Sequence, residues 1–170
     1  FQQIEPSWEF HVVEGESHFL EQQICDGLVD VGLFPTPIYS QDLESYPVLD
    51  EQILLAISVE NKKAIAIADS LMTGDGIREI APFGAFPFIL LREGLKLRTL
   101  VNRLCQAECF VPKAVIGSET LDSCRSLVED DYGITFLPST LNSKGDDDKV
   151  KFYPLASKLC FRQLVLVARS

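Results

Sequence analysis

The sequence has 170 residues, of which 46% are hydrophobic and 24% are charged, a balance typical of a globular domain and unlike disordered or fibrous chains. Its 25 acidic residues outnumber its 15 basic residues, which gives a net charge of −10, whereas a duplex-binding surface needs clustered cations. We therefore expect this chain alone not to bind DNA. No apolar stretch is long enough to cross a membrane, and the opening residues do not follow the pattern of an export signal.

Five cysteines, an odd number without a C-x-x-C pair, predict reduced and buried thiols in a cytoplasmic protein rather than a disulfide framework. Only two histidines are present, so we do not expect a zinc site of mixed cysteine and histidine ligands. The sequence contains no G-x-S-x-G, H-E-x-x-H or P-loop motif. We therefore expect neither an enzyme nor a bound cofactor.

The first predicted element in chain order is a strand over residues 9–13. Ser17 is a favourable N-cap for a helix from about 18 to 25, which Gly27 ends. The next strand, over 29–34, is apolar enough to be buried on both faces of a sheet. The polar run over 143–149 has three aspartates but lacks the ligand spacing of a calcium loop, and it predicts a solvated loop.

The later elements continue the alternation of strands with helices. They are strands over 46–50, 51–58, 86–91, 113–116, 133–137, 150–153 and 163–167, and helices over 94–106 and 119–130. This order predicts an α/β fold in which parallel sheets are covered by helices on both faces.

Several of these segments, taken in order, carry a family resemblance. They are residues 10–15 with the helix closing at Asp26-Gly27, Leu28-Val29-Asp30-Val31-Gly32-Leu33, Tyr46-Pro47-Val48-Leu49-Asp50-Glu51, Pro87-Phe88-Ile89-Leu90-Leu91 with the following helix, Glu119-Thr120-Leu121, and Gly133-Ile134-Thr135-Phe136-Leu137-Pro138. Together they resemble the effector-binding domain of LysR-type transcriptional regulators over almost the whole chain.

The resemblance implies two Rossmann-like lobes of the periplasmic-binding-protein type II, with a small-molecule effector in the cleft between them. Lobe one is expected to comprise residues 1–61 with 153–170, and lobe two residues 62–152. Effector binding is expected to alter the DNA binding of a full-length, homodimeric or tetrameric bacterial regulator. The family's winged helix-turn-helix, its first strand and its final helix have no counterpart in the segments above.

The resemblance places the candidate effector-binding residues at three turns, which are Gly15, Glu16 and Ser17, then Phe34, Pro35 and Thr36, and finally Leu91, Arg92 and Glu93. A helix start offers free N–H groups to an anion, and Arg92 is suited to bind one through two parallel hydrogen bonds. Each of these residues also has a role that needs no effector. Ser17 is typical of a helix cap and Thr36 of a plain turn, and Glu93 is near enough in sequence to neutralise Arg92.

Cys105 leads to a second hypothesis, because residues 91–105 also resemble the peroxide-sensing branch of the family, where two cysteines form a regulatory disulfide. Cys105 matches the resolving position, but Lys96 occupies the position of the peroxide-reactive cysteine and cannot supply a thiolate. We therefore interpret Cys105 and Cys109 as core thiols. Redox sensing through a different pair is the alternative function, followed by a solute-binding protein of the same fold.

Overall fold

The computed structural model describes residues 9–142 and 149–170. The chain divides into two compact units, of which unit 1 ends at Pro47 and includes Val165–Ser170, and unit 2 is Val48–Leu164. The lobe boundaries expected near residues 61 and 153 remain a prediction. The aspartates of the polar run over 143–149 lie outside the described residues.

The described chain contains four α-helices and nine strands. The helices are α1 (Ser17–Cys25), α2 (Lys62–Leu71), α3 (Lys96–Ala107) and α4 (Leu121–Glu129). The strands are β1 (Val31–Pro35), β2 (Leu43–Ser58), β3 (Met72–Thr73), β4 (Gly76–Ile77), β5 (Pro87–Leu91), β6 (Lys113–Ser118), β7 (Thr135–Pro138), β8 (Val150–Pro154) and β9 (Phe161–Arg169). Strands β2 and β9 each run across the boundary between the two units.

Unit 1 is built from α1 packed against one face of a small sheet. Strand β1 is hydrogen-bonded to β9, and the core side chains are Ile24, Phe34, Leu43, Val165 and Val167. The prediction that β1 is buried on both faces is wrong, because Val31 and Leu33 are 49% and 58% exposed. Their side chains alternate with Phe34 along the strand, and only the Phe34 side packs into the core.

Residues 9–16 form no regular secondary structure, so the prediction of a strand over 9–13 is also wrong. A strand forms only where a neighbouring segment takes up its backbone hydrogen bonds, and no described strand pairs with this segment. Val12 is consequently 83% exposed, although the alternation of Phe10 and Val12 with polar Glu9 and His11 is typical of a strand.

Unit 2 is organised around the second half of β2, whose residues 53–58 are all buried. This half pairs antiparallel with β7 on one side and with β8 on the other. The two strands predicted over 46–50 and 51–58 are therefore one continuous strand. Parallel pairing, predicted for the whole fold, is found between β5 and β6, and α3 and α4 both contact β5.

A buried ion pair joins β2 to β9 in unit 2. Arg162 Nε donates to Glu51 Oε2 at 2.5 Å, and the side chains are 12% and 1% exposed. Thr140 Oγ1 donates to the other carboxylate oxygen of Glu51. Gln163 Nε2 donates to Asp50 Oδ1 at 2.9 Å beside it. A buried carboxylate with a cation and a hydroxyl on its two oxygens is fully satisfied, so this pair fixes the register of the two strands.

We expect Arg162→Met to destabilise unit 2 by about 3–5 kcal/mol, because the Glu51 carboxylate is then buried without its cation. The double variant Glu51→Leu/Arg162→Met removes both charges and should recover most of that loss. Urea denaturation followed by circular dichroism measures both. Arg78→Met is the matched control, since Arg78 is exposed and 3.6 Å from Asp75, and it should change the unfolding free energy by less than about 1 kcal/mol. Equal losses in the single and double variants would contradict the role of the charge pair.

Candidate functional site

The first candidate turn leads into α1 in unit 1. Glu16 is the N-cap, with extended backbone angles and no side-chain capping hydrogen bond, and Ser17 is the first helical residue. The predicted N-cap is therefore displaced by one residue. The N–H groups of the first turn lack intrahelical partners, and Ser17 is half-buried while Glu16 is exposed. This turn thus places a hydroxyl and a carboxylate at the positive end of a helix dipole.

The second candidate turn follows β1. Phe34 packs in the core of unit 1 and is only 4% exposed, so its side chain serves packing. Pro35 ends the strand, and both Pro35 and Thr36 are half-buried. The Thr36–Pro37 peptide bond is cis. Of this trio, Thr36 is the residue with a polar side chain that solvent reaches.

The third candidate turn follows β5 in unit 2. Leu91 is buried, and its carbonyl oxygen accepts a hydrogen bond from Arg98 Nη1 at 3.0 Å. The backbone N–H of Arg92 donates to the carbonyl of Ser118 at 2.8 Å, which fixes the main chain at the start of this turn. The Arg92 side chain is 47% exposed, with its Nε 3.8 Å from Glu119 Oε1.

Glu93 has partners that sequence reasoning did not identify. Its Oε1 lies 2.8 Å from Arg98 Nη2, and its Oε2 accepts from Asn102 Nδ2 at 3.0 Å. Glu119, on the next strand-to-helix turn, also lies beside Arg92. The Glu93–Arg98 pair braces the start of α3, and neutralisation of Arg92 by Glu93 stays a prediction.

Two further polar residues lie at the same edge of the parallel pair β5–β6. Ser118 is opposite Leu91 in the register, is buried, and donates from Oγ to the carbonyl of Thr120 at 3.0 Å. Thr120 caps α4 by accepting the N–H of Ser123 at 3.2 Å. The carboxyl ends of parallel strands, where helices begin, are the usual ligand-binding edge of α/β sheets. Neither residue is marked out by the sequence, because a hydroxyl before a helix is also a common cap.

The five cysteines fall into two groups. Cys105, Cys124 and Cys160 are buried, whereas Cys25 is half-buried and Cys109 is exposed. Burial raises the pKa of the Cys105 thiol to about 11 and that of Cys160 to about 12, and it also raises the pKa of Cys124. The interpretation of Cys105 as a core thiol is confirmed, and that of Cys109 is wrong, because Cys109 follows the end of α3 with a φ of 51° and faces solvent.

Brief iodoacetamide treatment of the folded chain at neutral pH should therefore modify Cys109 first and leave Cys105, Cys124 and Cys160 intact. Only the thiolate is alkylated, and the buried thiols are protonated and inaccessible. Peptide mass mapping measures the order, and the same treatment in denaturant should label all five. Alkylation of Cys105 at the rate of Cys109 would contradict the buried placement.

The described residues contain no group of three or more His, Cys, Asp or Glu side chains that could hold a metal ion. In the same part of the chain, none of the helices has the length and apolar character needed to span a membrane.

Comparison with known protein families gives a match to the model of the LysR substrate binding domain over residues 1–170. Among curated proteins, an uncharacterized HTH-type transcriptional regulator of Bacillus subtilis, YcgK, is 29% identical over 171 residues, which cover 95% of this chain and 52% of that protein. A hydrogen peroxide-inducible genes activator of Haemophilus influenzae is 23% identical over 165 residues, with 96% and 52% covered. The chain thus spans about half the length of these relatives.

Solved structures share the fold at low sequence identity. A reduced form of OxyR from N. meningitidis has a TM-score of 0.75 and 19% identity, covering 99% of this chain and 74% of that chain. The BenM effector binding domain with its effector benzoate has a TM-score of 0.78 and 15% identity, with 99% and 73% covered. A Synechocystis CcmR regulatory domain in complex with 2-PG has a TM-score of 0.80 and 15% identity, with 99% and 77% covered. The predicted α/β fold of the periplasmic-binding-protein type II is confirmed.

Proposed function

This chain belongs to the LysR substrate-binding domain family, and from that premise we propose that it is the small-molecule sensor of a bacterial transcriptional regulator. The family is one of regulators rather than enzymes. In this proposal effector binding shifts the domain between two conformations and thereby changes how the full-length protein binds DNA. The full-length protein is proposed to be cytoplasmic and to act as a homodimer or tetramer, with DNA contacted by a separate helix-turn-helix domain.

The observation that carries the proposal is the polar edge at the carboxyl ends of β5 and β6. There the half-exposed Arg92, whose Nε lies 3.8 Å from Glu119, is in the turn between β5 and α3, and Ser118 and Thr120 are in the turn between β6 and α4. The backbone N–H of Arg92 joins the two turns by donating to the Ser118 carbonyl. A guanidinium and helix N-termini both favour an anion. We therefore propose that the effector carries a carboxylate or phosphate group held at this edge. Benzoate, the effector in the BenM structure, is itself a carboxylate.

The candidate effector-binding residues of unit 1 are also part of the proposal. The N–H groups at the start of α1 and the hydroxyls of Ser17 and Thr36 supply donors. Gly15, Glu16 and Pro35 complete the two turns that present these donors, and Phe34 packs beneath them in the core of unit 1. Leu91 has the corresponding place before the Arg92 turn, in the core of unit 2. The Glu16 carboxylate is suited to a cationic or hydroxyl group on the effector rather than to its anion.

Redox sensing has less support. In its favour is the similarity to a peroxide-inducible activator and to OxyR. Against it stand the burial of Cys105 and its pKa of about 11, because a peroxide-reactive cysteine needs an accessible thiolate at neutral pH. Lys96, which begins α3, stands at the position of the peroxide-reactive cysteine and has no thiol.

A thermal-shift screen of the chain against amino acids, dicarboxylates and aromatic acids should identify at least one stabilising compound. An effector at 100 times its Kd adds about 2.7 kcal/mol to the unfolding free energy, which raises the melting temperature. Arg92→Ala should weaken binding by about tenfold or more, because a charged hydrogen bond to the anion is lost, and Ser17→Ala should weaken it less.

Arg78→Ala is the matched control, since Arg78 is also an exposed arginine of unit 2 and its acid partner is Asp75. Equal binding by wild type and Arg92→Ala would contradict the proposed anion site. A different result would favour redox sensing over effector sensing. No compound in the panel would raise the melting temperature, and peroxide would cause a mobility change that Cys105→Ser abolishes.

A further inference from the structure

Glu21 is a carboxylate buried in unit 1, on the helix whose start forms the first candidate turn. It lies in the middle of α1 and is 3% exposed. Its Oε2 accepts the backbone N–H of Tyr39 at 2.9 Å and that of Ser40 at 3.3 Å. Two consecutive backbone N–H groups that converge on one oxygen form an anion-binding turn, and here the bound anion is a side chain of the protein.

The segment that Glu21 holds is the loop between β1 and β2. Residues 36–42 have no helix or strand of their own. At the far end of the loop, the Asp42 carbonyl accepts the backbone N–H of Ser170 at 3.1 Å. α1 reaches this loop at a second point one helical turn further on, where Cys25 Sγ lies 3.3 Å from Ser40 Oγ. The Ser40 hydroxyl also accepts the N–H of Asp42 at 3.3 Å. The loop is thus attached at two points to the second half of α1.

Packing alone does not explain why a carboxylate occupies this position. Glu21 shares the inward face of α1 with Ile24, three residues away, and an apolar side chain would fill the same space. Burying a carboxylate is unfavourable unless hydrogen bonds replace its lost water. The N–H groups of Tyr39 and Ser40 supply these bonds. The side chain at position 21 is therefore matched to the loop rather than to the core.

We propose that Glu21 is a positioning residue of the effector site, and this inference rests on the proposed function. By holding Tyr39 and Ser40, it fixes the loop that begins at Thr36 against the helix that begins at Ser17. The two candidate turns of unit 1 are then presented in one arrangement before the effector arrives. Preorganisation of this kind improves affinity because fewer groups lose freedom on binding.

The test compares Glu21→Leu and Glu21→Gln with wild type, and Glu14→Gln serves as an exposed control just before the same helix. Amide hydrogen exchange should be about tenfold or more faster at Tyr39 and Ser40 in Glu21→Leu, because both lose a charged acceptor. Exchange at Ile24 and Val167 should stay unchanged. Glu21→Gln retains one carbonyl acceptor and should fall between wild type and Glu21→Leu, while Glu14→Gln should match wild type.

The second measurement is the Kd of a compound identified by the thermal-shift screen. Glu21→Leu should weaken binding by about tenfold, whereas a merely structural role would lower the melting temperature and leave the Kd of the folded protein unchanged. Unchanged exchange at Tyr39 and Ser40 would overturn the tether. Normal affinity in Glu21→Leu would overturn the positioning role and leave effector sensing standing. Faster exchange together with no ligand for wild type would overturn the proposed function and leave the tether standing.

Discussion

The second half of β2 has a partner strand on each side and almost no contact with solvent. Its backbone hydrogen bonds are therefore taken up in both directions, and its side chains lie in the core of unit 2. The same strand begins in unit 1, where Leu43 belongs to the other core. A displacement of β2 by one residue would move Leu43 out of the core of unit 1 and would shift every side chain of residues 53–58 to a different packing position in the core of unit 2. The Glu51–Arg162 pair opposes such a displacement, because only one register brings the carboxylate to its cation.

The candidate anion site lies at the edge of unit 2 where the parallel strands β5 and β6 end. Strand β5 is apolar and mostly buried, whereas β6 is mostly exposed up to its last residue, Ser118. Leu91 and Ser118 pair at the end of the two strands, and Arg92 follows directly after Leu91. Since parallel strands end at the same edge, their polar turns lie together without any sequence proximity. Glu93 and Arg98 satisfy one another and brace the start of α3, while Arg92 remains half exposed to solvent. The Glu93–Arg98 pair therefore holds the turn in place, whereas the Arg92 guanidinium is partly exposed to solvent.

Sequence patterns predicted the helices α1, α3 and α4 closely, because each has an apolar face with the helical period and a recognisable start or end. The order of the segments was also sufficient to place the chain in its family. Sequence patterns did not predict burial correctly where it depends on which other segment packs against a residue. Val31 and Leu33 look like core residues, and only the packing reveals that both side chains are about half exposed. Glu21 shows the converse, since a glutamate in a helix indicates a solvent-facing position until the loop that buries it is known.

The exposed face of β1 also sets an order of stability within the molecule. Unit 1 has a small core formed by α1, β1, β2 and β9, and it leaves Val31 and Leu33 half in water. Unit 2 encloses a much larger cluster that includes the stacked rings of Phe88 and Phe136. Local opening requires the least free energy where the fewest apolar contacts are lost. Unit 1 is therefore the softer part of the molecule, the first to open as conditions become denaturing and the one whose equilibrium a bound molecule shifts most easily.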